Sequence, residues 1–231
     1  MEGLLTPAEW SAFRLSLLVA AAATLASLPF GVALGYLLAR RAFPGKAAVE
    51  TAVNLPLVLP PVVTGYLLLV LLGRRGPLGA LLHDWFGVSV VFTWQGAAAA
   101  SAVMAFPLLV RAVRLAFAGA DPRLEQAART LGAGRLRTFF RVSLPLARRG
   151  VIAGAVLAFA RSLGEFGATV MIAGNIPGET QTIPLYIYSQ LNAPGGLERS
   201  GRLVVASVVI AAAALIASEV LESRAARRGG G

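Results

Sequence analysis

The feature that most constrains this chain is the length of its uncharged apolar runs. Leu15 to Ala39, Thr51 to Gly73 and Trp85 to Val110 contain no Asp, Glu, Lys or Arg. A helix crossing the hydrocarbon core needs about 20 mostly apolar residues, and no water is there to satisfy exposed backbone groups. Gly150 to Gly174 is long enough too but carries Arg161 and Glu165, while Leu203 to Ser218 is shorter, with Val220 and Leu221 to extend it. These runs predict an all-α integral membrane protein with about five transmembrane helices, six being the alternative. A single domain is expected over 1–231, with its core at about 10–223 and a flexible tail at 224–231. The first run starts too far in, is too long and lacks the basic flank of a cleaved signal peptide.

Composition agrees. The chain is 57% hydrophobic and 14% charged, with a mean hydropathy of +0.72, whereas soluble domains carry about 25% charged residues. It has no cysteine, which excludes disulfides, thiol catalysis and thiolate metal sites. The single histidine, His83, cannot build a histidine metal cluster. No cofactor, metal or catalytic residue is expected.

The net charge of +10 fits either nucleic-acid binding or membrane topology. Position decides. Arg40, Arg41 and Lys46 follow the first run; Arg111, Arg114, Arg123, Arg129, Arg135, Arg137, Arg141, Arg148 and Arg149 separate the third from the fourth; Arg224, Arg227 and Arg228 follow the fifth. With five spans all of these share one side, and only Arg14, Arg74, Arg75, Arg199 and Arg202 fall on the other. Arginine and lysine concentrate on the cytoplasmic side of short loops. The N-terminus is therefore expected outside and the C-terminus in the cytoplasm, with the loop between spans three and four cytoplasmic. Topology explains the arginines, and nucleic acid is not an expected partner.

That loop is patterned. Asp121-Pro122 suits a helix start, with aspartate as cap and proline in the first turn. Leu124, Ala127, Ala128 and Leu131 then fall on one face, and Gly132-Ala133-Gly134 should break or turn the helix. A second short segment, from Arg135 to Ser143, carries Leu136, Phe139 and Phe140, and Pro145 is expected to end it. Two readings stand at this point: a basic amphipathic linker lying on headgroups, or a helix presented to a cytoplasmic partner. Composition does not choose between them.

The spacing of Gln126-Ala127-Ala128, Gly132 and Val142-Ser143-Leu144-Pro145 resembles the cytoplasmic EAA loop of ABC importer permeases. The resemblance implies a coupling helix seated in a groove of an ATPase subunit, with Glu125, Gln126, Ala127, Ala128, Leu131, Gly132, Leu144 and Pro145 at the contact. Gln126 stands at the glutamate position of the pattern, with Glu125 immediately before it. The chain itself carries no phosphate-binding loop of the GxxxxGK[ST] type: Arg40 occupies the first glycine position before Gly45-Lys46, and Ala47 follows. ATP hydrolysis therefore falls to a separate polypeptide.

Within the membrane, Pro56, Pro60 and Pro61 of the second run free backbone carbonyls. A kinked helix in a bundle and a lining for a wet pathway both accommodate that. Arg161 and Glu165 stand at i and i+4, as a self-neutralised pair or as positive potential on an anion route. Thr64, Ser101 and Thr169 are further candidates for the pathway, against the simpler account that their hydroxyls bond their own backbone. These stretches, with Asn175 to Gly196, resemble permeases of molybdate ABC importers over nearly the whole chain. Sulfate permeases share the Gly164 to Gly167 neighbourhood and look less alike over Asn175 to Pro184. The resemblance implies a tetrahedral oxyanion substrate, molybdate first and tungstate accepted, and a homodimer with two ATPase subunits and an extracytoplasmic oxyanion-binding protein. A sulfate permease, or a channel or scaffold without ATP coupling, are the alternatives.

Overall fold

The computed structural model describes residues 5–193 and 196–229, and among them every element is helical. Helix α1 (Pro7–Arg40) opens on a reciprocal cap: the Thr6 hydroxyl accepts from the Glu9 amide at 3.3 Å and the Glu9 carboxylate accepts from the Thr6 amide at 2.6 Å. This start precedes the first apolar run and takes Arg14 into the helix. Its buried face is a column of small residues, including Ala12, Ser16, Ala20, Ala23, Ser27, Gly31 and Gly35. Small side chains let backbones approach closely where lipid supplies no hydrophobic driving force between helices. A Cβ on Gly31 would lie 2.6 Å from the Leu109 side chain, and one on Gly35 would lie 2.6 Å from Val113.

The second run is not one straight helix. It divides into α2 (Lys46–Val58) and α3 (Pro61–Leu72), bent by 114°. The cause is local: each residue preceding a proline is pushed out of the helical region, and Leu59 and Pro60 adopt ψ of 142° and 134°. The third run begins later than its lack of charge suggested. Residues 85 and 86 belong to a short helix, α4 (Pro77–Phe86), closed by Gly87 at φ 64°. Thr93 then caps α5 (Trp94–Ala118), accepting from the Gly96 amide at 3.3 Å. Helix α5 continues beyond Val110 through Arg111 and Arg114, and Arg114 pairs with Glu50 of α2 at 2.8 Å.

After α6 (Pro122–Thr130) and α7 (Arg135–Thr138), a π turn (Phe139–Ser143) leads into α8 (Leu144–Leu163). The helix thus continues across Pro145 instead of ending there: the Leu144 amide reaches back to the Phe139 carbonyl, and the widened turn accommodates a proline that has no donor to offer. The fourth run breaks at Gly164, Glu165 and Phe166 before α9 (Gly167–Ala173). Helices α10 (Ile183–Leu191) and α11 (Gly196–Gly229) follow. The fifth run lies within α11, where Gly201–Ala213 is the apolar portion. Helix α11 takes in residues 224–229 of the expected tail, and 230 and 231 lie outside the described residues.

Among the described residues three helices are long and apolar enough to span a membrane: Pro7–Arg40, Trp94–Ala118 and Arg135–Leu163. The bent α2–α3 pair makes up to four. Helix α5 is the spine. One end of it packs with α1 and α9 around Leu15, Val19, Ala97, Met104 and Ile172. The other packs with α1 and α8 around Leu109, Val113, Phe117, Ala147 and Val151.

Candidate functional site

The loop between α5 and α8 is a built element. Asp121 accepts from the Arg123 amide at 2.8 Å, and Pro122 takes the first helical position of α6. At the other end, Gly132 at φ 84° lets the chain reverse. Its amide donates to the Arg129 carbonyl, and that of Ala133 donates to Ala128, both at 3.0 Å. This is the paired closure that a left-handed residue after the helix provides, and it favours glycine there. No atom lies within 4 Å of where a Gly132 Cβ would be, so the glycine serves the turn and leaves that surface open.

The apolar face of α6 points away from the chain. Leu124, Gln126, Ala127 and Leu131 are exposed, as are Leu136 and Phe140 beyond the turn, and Leu131 is 88% exposed. Ala128 is half-buried. Exposed Arg123, Arg129, Arg135, Arg137 and Arg141 surround these side chains. An apolar patch rimmed by charge marks an interaction surface. Leu144 is half-buried against the α5–α8 core and Pro145 is exposed.

Glu125 faces the opposite way. It is 6% exposed, and Arg40 Nε donates to its Oε1 at 2.9 Å while the Tyr36 hydroxyl donates to Oε2 at 3.3 Å. Arg40 Nη2 also donates to the Ala120 carbonyl at 2.9 Å. Glu125 is therefore turned away from the surface on which the sequence grouped it, and Gln126 alone of the two is presented outward. Sequence reasoning missed Arg40 and Tyr36, because helical periodicity carries no information on a partner 85 positions away.

The membrane candidates gather at the other end of α5. Helices α3 and α9 touch almost backbone to backbone: a Cβ on Gly65 would lie 2.6 Å from the Ala168 carbonyl oxygen, and one on Gly167 would lie 2.8 Å from Pro61. Thr64 and Thr169 lie on these two helices and Ser101 on α5; all three are buried, and among the described residues their hydroxyls have no hydrogen-bond partner. The expectation that such hydroxyls bond their own backbone is not met here. Glu165, 3% exposed, sits in the break between α8 and α9. Its Oε2 pairs with Arg161 Nη1 at 2.8 Å, and its Oε1 accepts from the Ala168 amide at 3.0 Å. The i, i+4 pair forms, but from the end of one helix to the break beyond it. None of these five residues lines the apolar cavity of about 510 Å³ between the α8–α9 break, α10 and α11, whose walls include Phe166, Ile183, Tyr188 and Val208.

The loop after α9 is also organised. The Gln181 side-chain amide donates to Asn175 Oδ1 at 2.9 Å, the Ile176 amide donates to the Thr180 hydroxyl at 2.9 Å, and Ser16 of α1 accepts from the Ile183 amide at 2.7 Å.

Three helices long and apolar enough to span a membrane, a further apolar pair bent by 114°, and an amphipathic helix held outward on a glycine turn make up an all-α multi-pass membrane protein. The chain belongs to the family of binding-protein-dependent transport system inner membrane components, whose model matches residues 31–226. It is 56% identical over 227 residues to the molybdenum transport system permease protein ModB of Escherichia coli (strain K12), covering 98% of this chain and 99% of that one. It is 53% identical over 216 residues to the ModB protein of Haemophilus influenzae (strain ATCC 51907 / DSM 11121 / KW20 / Rd), covering 94% of each. Identity to the sulfate transport system permease protein CysT of Escherichia coli (strain K12) is 36% over 229 residues, 98% of this chain and 81% of that one. Among solved structures the fold resembles a bacterial alginate ABC transporter in complex with its pentasaccharide-bound periplasmic protein, at TM-score 0.65 and 19% identity over 97% of this chain and 81% of that one. It also resembles the inward-facing MetNI methionine ABC transporter, at TM-score 0.63 and 19% identity over 95% of each chain.

Proposed function

We propose that the chain is the transmembrane permease subunit of an ATP-driven importer for a tetrahedral oxyanion, molybdate, with tungstate also accepted. The observation that carries this reading is the 56% identity to a molybdenum permease across 98% of the chain, against 36% to a sulfate permease. The outward face of α6 supports the energy-coupling half of the reading. Leu124, Gln126, Ala127, Ala128, Leu131 and Gly132 form a surface that an ATPase subunit covers, and Leu144 and Pro145 set where α8 leaves it. Hydrolysis occurs on that separate subunit.

The working assembly has two copies of this chain about a two-fold axis, the commonest closed symmetry. Two ATPase subunits sit on the cytoplasmic loops, and an extracytoplasmic protein delivers the anion to the opposite side. The N-terminus lies outside and the C-terminus in the cytoplasm, as the arginine distribution indicates. ATP binding brings the ATPase subunits together, α6 follows, and the spanning helices switch the side to which the path opens. Arg161, released in part from Glu165, places positive charge along the anion's route, and the hydroxyls of Thr64, Ser101 and Thr169 become available as the helices part.

Reconstitution with the ATPase and the binding protein tests this. Uptake of labelled molybdate should require ATP and be displaced by tungstate well before sulfate. Strict preference for sulfate would remove the substrate assignment and leave the permease reading. Anion flux without any ATPase would instead favour a channel, and ATPase binding without uptake of any oxyanion a scaffold.

A further inference from the structure

The site described above is a surface, and a surface alone moves nothing. Movement of α6 has to reach the spanning helices through whatever joins them. The π turn runs on into α8 and sets Phe139 against Phe117 of α5, whereas among the described residues the side-chain hydrogen bonds from α6 to the rest of the bundle meet at the C-terminal end of α1. Arg40 holds two elements at once, donating to Glu125 of α6 at 2.9 Å and to the Ala120 carbonyl just beyond α5 at 2.9 Å. The Arg40 and Glu125 side chains are only 13% and 8% exposed, so water screens this pair little. One turn earlier on α1, Tyr36 completes the junction. Its hydroxyl donates to the second Glu125 oxygen, and its ring meets Phe117 of α5 and Phe139 of the π turn edge-on, each at a centroid separation of 5.0 Å.

We propose that the Arg40–Glu125 pair, steadied by Tyr36, is a positioning latch that passes displacement of the docking helix into α1. This rests on the permease reading above and adds a route to it. The opposed faces of α6 divide the labour: the exposed side meets the partner, and Glu125 grips the bundle. Arginine suits the post because its planar fork reaches the carboxylate and the Ala120 carbonyl together, which a single ammonium does not. Gln126, though it occupies the glutamate position of the loop pattern, does not share this role, since it is exposed on the partner side.

The test uses the full complex of this chain with its ATPase and binding protein in liposomes. Glu125→Gln keeps the shape of the side chain and removes its charge. Two quantities are read: molybdate imported per ATP hydrolysed, and hydrogen exchange at residues 122–130 and 34–40 on adding ATP. In the unaltered complex, ATP should change exchange in both segments together. In Glu125→Gln the change should stay in 122–130, and import per ATP should fall roughly tenfold, an ordinary coupling between sites. The charge swap Arg40→Glu with Glu125→Arg should recover part of that ratio, because it restores the pair and not the bond to the Ala120 carbonyl. Joint exchange changes and an unaltered ratio in Glu125→Gln would overturn the latch. So would loss of the ATPase from the complex with the remaining complexes still importing at the normal ratio, because the pair would then only shape the docking surface. If the unaltered chain does not bind the ATPase at all, the permease reading fails first, and the latch with it.

Discussion

The two ends of α5 join their helices by different means. At the end that carries α6, ion pairs reach from helix to helix, Arg40 to Glu125 with Tyr36 beside it and Arg114 to Glu50, although the buried Ser143 hydroxyl of the π turn is unmatched there. At the other end Thr64, Ser101 and Thr169 are buried with their hydroxyls unmatched among the described residues, against a helix contact made by Gly65 and Gly167. A satisfied buried network resists rearrangement, and an unsatisfied one gains when the structure opens or water enters. On this contrast α6 is tied to α1 by charge, while the α3–α9 contact rests on two glycines with unmatched hydroxyls beside it.

The largest effect expected from breaking the contrast is at the latch. Glu125→Ala leaves the part-buried Arg40 with only the Ala120 carbonyl, which costs about 3 kcal/mol, the low end for removing one partner of a buried pair. Hydrogen exchange at residues 122–130 should accelerate far more than at α5, while Arg40→Met with Glu125→Leu should recover most of the protection. Next comes the seam. A valine at Gly65 has no room, because the nearest atoms are the backbone oxygen and Cα of Ala168 and not a flexible side chain. Gly65→Val should cost at the upper part of the roughly 1–3 kcal/mol typical of overpacking and lower the melting temperature in detergent. Gly31→Ala should do less, since only the Leu109 side chain has to yield.

At the docking turn, Gly132→Val forces a branched residue into φ 84°, a local cost of about 1–2 kcal/mol with no clash to relieve. Membrane insertion should survive, and ATPase co-purification and uptake should fall; Gly132→Asn should be milder, because asparagine tolerates that conformation. The smallest stability effect belongs to Thr169→Val. An unmatched hydroxyl exchanged for a methyl should leave the melting temperature unchanged or raise it. Uptake should still fall if the hydroxyl serves the open state. A clear loss of stability in Thr169→Val would mean that the hydroxyl is matched in the resting protein, and the contrast between the two ends would collapse.

Helix α6 and its turn were largely legible in the sequence, because their signals are local. Asp121 and Pro122 mark the start of α6, the spacing of Leu124, Ala127 and Leu131 marks its face, and Gly132 marks its end. The pairing of Glu125 was not legible. Its partner lies on another helix, and nothing in the spacing distinguishes a carboxylate that faces a partner protein from one that grips α1. The broken spans were half legible. Pro60 and Pro61 predicted a disruption without its angle, and Gly164 and Gly167 flanked a break that a count of apolar residues ran straight through. Similarly, Trp85 to Phe92 looked like membrane only because it lacks charge, although Gly87 and Thr93 were the signals of a helix end and a helix start.

The most direct test of the whole account is a single-turnover uptake measurement in liposomes holding the complete complex with labelled molybdate. A burst of import on adding ATP, absent without the binding protein and clearly reduced in Gly132→Val complexes that still insert, is the predicted result. Equal molybdate entry with and without ATP, or an undiminished burst in Gly132→Val, would contradict the claim that this chain couples an ATPase to an oxyanion path through α6.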